Sequence, residues 1–173
     1  TSEKIDNLIL GKPSELLEIN HELENLAIDI DVVKALFFKS GYKNWFQPNF
    51  GNELLNIINQ DTCTYCNRNY TLQTVPNRSR AELDHWFSKE TFPLLALSFY
   101  NLIPSCHSCN HLKLNNVIDD TFAHPYTITE DNQNFKFSFN YINIDKKFDI
   151  KLMVEENSKM DNSLKDFKIK EIY

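Results

Sequence analysis

The sequence predicts an α+β fold, and three observations support this prediction. The first third has apolar residues at helical spacing, the last third alternates apolar and polar residues, and the middle holds all four cysteines in two C-x-x-C pairs. The chain has 173 residues, and 42% of them are hydrophobic, so it can bury a core. The expected organisation is a helical segment over 1–60, a compact core over 61–125, and a β-hairpin plus helix over 126–173.

The N-terminal segment is predicted to be helical because clusters of leucine, isoleucine and valine recur at a period near 3.6 residues, for example around Leu16, Val33 and Leu55. Three residues that often interrupt helices punctuate the pattern: Gly41, Pro48 and Gly51. Asn52, followed by Glu53 and an apolar run, is the predicted start of the last helix.

The C-terminal segment changes to a period of two, which predicts a β-hairpin. The alternating apolar residues are Phe135, Phe137, Phe139 and Tyr141 in the first strand, and Phe148, Ile150, Leu152 and Val154 in the second. The turn is expected across 145–147, and a short helix from about Asn157. The first residue is not Met and residues 167–173 keep an apolar pattern, so we expect the chain to be part of a longer protein.

The net charge is −6, which argues against a protein that coats nucleic acid through bulk charge. The acidity lies outside the middle, because residues 61–113 carry a net charge of +1. No apolar run approaches the roughly 18 residues needed to cross a bilayer, and no secretory signal is visible at the N-terminus. We therefore expect no membrane partner and a cytoplasmic location.

The cysteine spacing predicts a metal site. Cys63 and Cys66 form one C-x-x-C pair, and Cys106 and Cys109 form the other. Two residues between paired thiolates let one turn present both sulfurs to one ion, and two such knuckles complete the tetrahedral set that structural Zn²⁺ favours. Two disulfides, a redox C-x-x-C or buried free thiols are the alternatives, but neither a secretory signal nor a βαβ context supports them.

The chain between and just after the knuckles holds residues suited to hydrolysis. Asp84 stands next to His85, and Asn110 follows the second knuckle directly. Asp84 and Asn110 offer oxygen atoms that Mg²⁺ or Mn²⁺ binds, and His85 offers a base for a water molecule. Each also has an ordinary interpretation, since an Asp-His dipeptide most often lies on a solvated turn.

This arrangement resembles the HNH nuclease motif, in the form whose zinc knuckles surround a ββα-metal fold. The resemblance covers about residues 63–113 and rests on the C-x-x-C pairs, Asp84-His85, Asn101 in "NLIPSC" and Asn110 in "CNHLK". It implies that His85 is the general base, that Asp84 and Asn110 hold the catalytic Mg²⁺ or Mn²⁺, and that Asn101 fixes the loop that orients the base. Asn101 is also a plain turn former. The chain departs from the most familiar pattern in having Asn rather than His at the last position.

Four cations of the middle segment are predicted to contact nucleic acid: Arg78, Arg80, Lys89 and Lys113. The alternative is a solvated loop rich in charge. The resemblance implies a metal-dependent endonuclease acting on DNA, as the nuclease component of a prokaryotic restriction or phage-defence system. Because the acidic chain is poorly equipped to grip a duplex alone, an ATPase or another sensor subunit is an expected protein partner. A non-catalytic zinc-binding interaction module is the alternative function.

Overall fold

The computed structural model describes residues 2–25, 29–71, 81–113, 118–129, 131, 133–142 and 147–173. These residues form helices and two antiparallel two-stranded sheets, which confirms the α+β prediction. The chain divides into two compact units, Thr1–Ile118 and Asp119–Tyr173. No helix in the described ranges is long and apolar enough to cross a lipid bilayer.

The N-terminal segment is helical, as the sequence predicts. Its elements are α1 (Ser2–Leu10), α2 (Leu16–Glu24), α3 (Ile30–Val33), a π-helical segment (Lys34–Phe46) and α4 (Gln47–Ile58). The wider hydrogen-bond spacing of the π-helical segment is visible at its end, where the backbone N–H of Gln47 donates to the carbonyl of Tyr42, five residues earlier.

The predicted helix start at Asn52 is wrong, because α4 begins at Gln47. Pro48 lies in the first turn of α4, where a missing backbone N–H costs little. At Gly41 a Cβ atom would lie 2.9 Å from Leu97 Cδ1. The absence of a side chain at this position therefore lets the π-helical segment pack closely on the following core.

The centre of the first unit is a small ββα element. β1 (Glu82–His85) pairs antiparallel with β2 (Leu102–Ser105), and α5 (His107–Lys113) follows β2 after one residue. Two 3₁₀ turns, Pro93–Leu97 and Phe99–Asn101, connect the strands. In the register of the pair, Asp84 lies opposite Ile103 and His85 lies opposite Leu102.

The helical segment and the ββα element share a hydrophobic core. Tyr42, Ala96 and Leu102 form its buried centre, against which half-buried phenylalanines and leucines of both parts pack. The Tyr42 hydroxyl donates to the carbonyl of Leu83 at 3.2 Å. The helices therefore support the strand that carries Asp84 and His85.

The second unit contains the predicted hairpin. β3 (Phe135–Ile142) pairs antiparallel with β4 (Lys147–Val154), and α6 (Lys159–Asp166) and α7 (Ile169–Ile172) follow. The Ser158 side chain caps α6 by accepting from the backbone N–H of Asp161 at 3.1 Å, close to the start predicted at Asn157. Residues 143–146, which include most of the predicted turn, lie outside the described residues.

Candidate functional site

The four cysteines come together in one buried cluster. Their sulfur atoms all lie within 4.8 Å of one another, and none of the four is in a disulfide. A tetrahedral zinc ion with Zn–S bonds of about 2.3 Å needs sulfur atoms about 3.8 Å apart, which a small contraction of the cluster provides. The chemistry and proximity of these donors fit a bound metal such as zinc.

Hydrogen bonds within this cysteine cluster favour a thiolate at Cys63, whereas the bond to Cys63 raises the pKa of the Cys109 thiol. The backbone N–H of Cys106 donates to Cys63 Sγ at 3.2 Å, and Asn69 Nδ2 donates to Cys106 Sγ at 3.1 Å. A hydrogen bond from Cys109 is the main cause that lowers the pKa of the Cys63 thiol to about 5. These bonds also tie the end of β2 to the first knuckle.

Asp84 is buried at the centre of the ββα element, with 5% of its surface exposed. The Tyr65 hydroxyl donates to Asp84 Oδ2 at 2.7 Å, and Lys113 Nζ lies 3.3 Å from the same oxygen. Burial raises the pKa of the Asp84 carboxyl, while Lys113 and Tyr65 oppose this rise. Both described contacts reach Oδ2, so Oδ1 is the oxygen that a cation could approach.

His85 is held in one tautomer by its surroundings. Its Nε2 lies 3.0 Å from the carbonyl oxygen of Ala96, and because a carbonyl can only accept, Nε2 carries the hydrogen. The neutral ring then has its lone pair on Nδ1. Burial, with the charges of Lys89 and Lys113, lowers the pKa of His85 to about 3, so the ring is neutral at neutral pH. The Tyr42 ring packs edge-on against it, with the ring centroids 4.4 Å apart.

Asn101 fastens the loop that follows β1. Its Oδ1 accepts from the backbone N–H of Phe87 at 2.7 Å, and its Nδ2 donates to the carbonyls of Phe87 at 3.1 Å and Leu95 at 2.9 Å. The side chain is fully buried. Asn101 thus joins the chain after His85 to the 3₁₀ turn whose Ala96 carbonyl holds the His85 ring.

Asn110 lies on α5, facing β1, and its partner there is a residue that sequence reasoning missed. Asn110 Nδ2 donates to Glu82 Oε2 at 2.6 Å, and His107 Nδ1 lies 2.8 Å from Glu82 Oε1. Burial tends to raise the pKa of Glu82, but the bonds from Asn110 and His107 outweigh it and lower the pKa. Because Nδ2 is engaged with Glu82, the Oδ1 atom of Asn110 remains for another contact. The alternation of a strand was the available signal, since Glu82 and Asp84 share one face of β1.

Asp84, His85 and Asn110 line one polar cleft of about 180 Å³. The full set of residues lining this polar cleft is Glu82, Asp84, His85, Ser88, Lys89, His107, Asn110 and His111. A carboxylate, an imidazole and an amide at one small opening can hold a hard cation and move a proton.

The four cations predicted to contact nucleic acid have different positions. Lys89 lines the polar cleft, with its Nζ 5.4 Å from the centre of the Phe38 ring. Lys113 is fully buried and donates to the His85 carbonyl at 2.6 Å, so in this structure its ammonium group lies inside the site with Asp84 rather than on a surface. Arg78 and Arg80 lie outside the described residues.

Comparison with known proteins gives one informative similarity. The chain is 31% identical over 77 residues to Septu protein PtuB of Bacillus thuringiensis, and the match covers 44% of this chain and 28% of that protein. No protein-family model matches the chain, and no solved structure matches it. The chain is therefore similar, over less than half of its length, to a bacterial Septu protein.

Proposed function

We propose that the chain is a metal-dependent endonuclease of the HNH type that hydrolyses phosphodiester bonds in DNA. The observation that carries this proposal is the meeting of Asp84, His85 and Asn110 in one polar cleft beside the cysteine cluster. A purely structural zinc module has no need to bring these three side chains together. The hydrogen bonds of Asn101 also agree with the loop-fixing role that the HNH resemblance implies.

In this proposal His85 is the general base. A water molecule attacks the phosphorus of the substrate, Nδ1 of His85 accepts the proton of that water, and the bond from phosphorus to the 3′-oxygen breaks. The 3′-oxygen leaves as an alkoxide and takes a proton from a second water molecule, so the products are a 5′-phosphate and a 3′-hydroxyl. The Ala96 carbonyl holds the ring in the required tautomer, because it fixes the hydrogen on Nε2.

The oxygen donors of the polar cleft fit Mg²⁺ or Mn²⁺. Asp84 Oδ1 and Asn110 Oδ1 are hard ligands that would hold the ion, and substrate and water would supply its remaining oxygen ligands. A cation bound there would supply acidity to a coordinated water and stabilise charge on the phosphate, which matters because a base with a pKa near 3 is weak. The Lys113 ammonium group, 3.3 Å from Asp84 Oδ2, balances the charge of this buried carboxylate.

The cysteine cluster has a structural role in this proposal. It would hold zinc in a closed site, with four protein ligands and no open position for substrate. The catalytic ion and the structural ion are therefore different in ligand chemistry and in place.

We further propose that the chain acts as the nuclease component of a prokaryotic defence or restriction system in the cytoplasm, with an ATPase or another sensor subunit as partner. The similarity to Septu protein PtuB supports this placement. The net charge of −6 supports a partner, because phosphate binding by cationic side chains supplies most of the affinity for DNA. Weak, salt-sensitive DNA binding by the isolated chain is expected.

Cleavage of supercoiled plasmid tests the proposed activity. The purified chain is incubated with Mg²⁺, Mn²⁺ or EDTA, and His85→Ala is compared with the wild type and with His21→Ala, a matched control on the exposed surface of α2. Metal-dependent nicking that His85→Ala abolishes and His21→Ala retains supports the proposal. Zinc content and circular dichroism establish that each variant is folded.

Two results of this experiment would contradict the proposal. Full cleavage by folded His85→Ala would remove His85 from the mechanism. No cleavage by the zinc-loaded wild type, alone or with its partner subunit, would favour the non-catalytic interaction module.

A further inference from the structure

The second unit carries an apolar sheet face whose described side chains are largely exposed. In the register of the hairpin, Phe139 lies opposite Ile150 and Tyr141 lies opposite Phe148, so these side chains share one face. The other face of the ribbon is mainly polar, with Ser138 opposite Lys151 and Asn140 opposite Asp149, and Met153 is an exposed apolar residue of that face. We name the apolar side the hairpin face; it comprises Phe137, Phe139, Tyr141, Phe148, Ile150 and the adjoining Tyr173.

The hairpin face is exposed to an unusual degree for aromatic side chains. The exposed fractions are 45% for Phe137, 66% for Phe139, 55% for Tyr141, 65% for Phe148, 43% for Ile150 and 42% for Tyr173. These fractions add up to the exposed area of about three whole side chains. At roughly 200 Å² for each side chain, the exposed apolar surface is roughly 600 Å². This area is at the upper end of the about 300–600 Å² of the largest apolar patch on a typical monomer, and such patches are often functional.

The shape of the hairpin face combines a hollow with projecting rings. A hollow of about 560 Å³ lies among its side chains, and at its base the Tyr173 ring packs against Phe137, with the centroids 4.8 Å apart. Phe139 and Phe148 lie nearer the tip of the hairpin, and their ring centroids are 5.7 Å apart. They are the most exposed aromatic side chains of the hairpin face. Phe139 and Phe148 therefore border the hollow and are at the same time the most exposed rings of this surface.

We propose that the hairpin face binds the hairpin face of a second copy of this chain, forming a two-fold symmetric dimer. A two-fold axis through the face would set the tip of each hairpin over the base of the other, so that each copy offers rings to the hollow of its partner. The contact would remove roughly 1,200 Å² of surface in total, which reaches the lower limit of stable protein interfaces.

The chemistry of the hairpin face favours this occupant over a nucleic acid. All six of its side chains are apolar or aromatic, and none carries a charge that could pair with phosphate. A two-stranded ribbon is also marginal by itself, and packing a second ribbon on its apolar side gives the sandwich that stabilises such sheets.

The test is the molecular mass of the full chain in solution, measured by sedimentation equilibrium. The protein concentration is varied over roughly 1 to 100 µM, because a small interface of this kind is expected to have a dissociation constant in that weak range. The wild type is expected to reach twice its 20.4 kDa. Phe139→Lys places a charge on the hairpin face and should raise the dimer dissociation constant by roughly tenfold or more. Asn140→Lys adds the same charge to the opposite face of β3 and should leave the dimer intact.

Two outcomes would overturn this inference. A wild type that stays monomeric across the range would show that a different partner covers the hairpin face, and a Phe139→Lys dimer as tight as that of Asn140→Lys would place the interface elsewhere. Hydrogen exchange of the unmodified protein gives a second readout that needs no folded variant. Amides of β3 and β4 should be better protected at high than at low concentration, and equal protection contradicts the proposal.

Discussion

Replacing Glu82 with alanine should weaken binding of the proposed catalytic cation, although Glu82 need not touch that cation. The Glu82 carboxylate accepts hydrogen bonds from Asn110 Nδ2 at 2.6 Å and from His107 Nδ1 at 2.8 Å. Without the carboxylate the Asn110 amide is free to rotate, and it can then present its NH₂ group instead of its oxygen to the polar cleft. Loss of a residue that orients a metal ligand typically costs about 10- to 100-fold in metal affinity, or about 1.4 to 2.7 kcal/mol.

The assay measures Mn²⁺ affinity directly, by isothermal titration of the zinc-loaded chain, and compares it with the Mn²⁺ dependence of plasmid cleavage. Glu82→Ala should shift both by about the same factor, because both report the same ligand set. Glu82→Gln is the matched variant, since its side-chain oxygen can still accept from Asn110. It should therefore lose much less affinity than Glu82→Ala.

Two results would refute this reasoning. If Glu82→Ala binds Mn²⁺ as tightly as the wild type, Glu82 does not position Asn110. If Glu82→Gln loses as much affinity as Glu82→Ala, the negative charge itself is needed, and Glu82 acts on the cation rather than through Asn110. Unchanged zinc content in all three proteins establishes that the cysteine cluster is intact.

Three further predictions concern stability. Treating the protein with a strong chelator should unfold the middle of the chain, because structural zinc contributes on the order of 10 kcal/mol to the folding free energy of small modules. An unchanged melting curve would contradict a structural metal in the cysteine cluster. Asn101→Ala should lower the free energy of unfolding by about 3 kcal/mol because three buried hydrogen bonds are lost, whereas exposed Asn49→Ala should cost under about 1 kcal/mol in the same urea titration. The hydrogen bonds from Lys165 Nζ and the Asn157 N–H lower the pKa of Asp161 in the folded protein. The ionised Asp161 therefore stabilises the fold above the ordinary carboxyl pKa of about 3.9, and this stabilisation is lost as the pH falls through the lower pKa of the folded state. Thermal melts of Asp161→Asn should thus depend less on pH below about 4 than those of the wild type, and identical pH slopes would count against this.

Local patterns of the sequence predict the parts of the structure whose causes are local. The C-x-x-C spacing predicts each knuckle because two intervening residues are enough to turn both sulfurs to one point, and the preference of Zn²⁺ for four ligands predicts that the two knuckles meet. The alternation from Phe135 to Tyr141 predicts β3 because side chains of a strand alternate between faces.

Features that depend on packing between distant segments could not be predicted in the same way. The π-helical segment continues through Gly41 because a glycine there lets the backbone approach Leu97, which is 56 positions away in the sequence. The burial of Lys113 is of the same kind, since its ammonium group is stabilised by Asp84 on another element. Charge and propensity alone describe Lys113 as a surface residue.

The cysteine cluster and the polar cleft are connected through α5. Cys106 is the one residue between β2 and α5, and its backbone N–H donates to the sulfur of Cys63 on the first knuckle. The backbone N–H of Asn110 donates to the carbonyl of Cys106 at 3.0 Å, so the start of α5 is set by the cluster. The position of α5 in turn decides whether Asn110 meets Glu82. A metal held by the four cysteines would therefore act on the proposed hydrolysis without touching substrate, because it would fix the helix that brings Asn110 to the strand of Asp84 and His85.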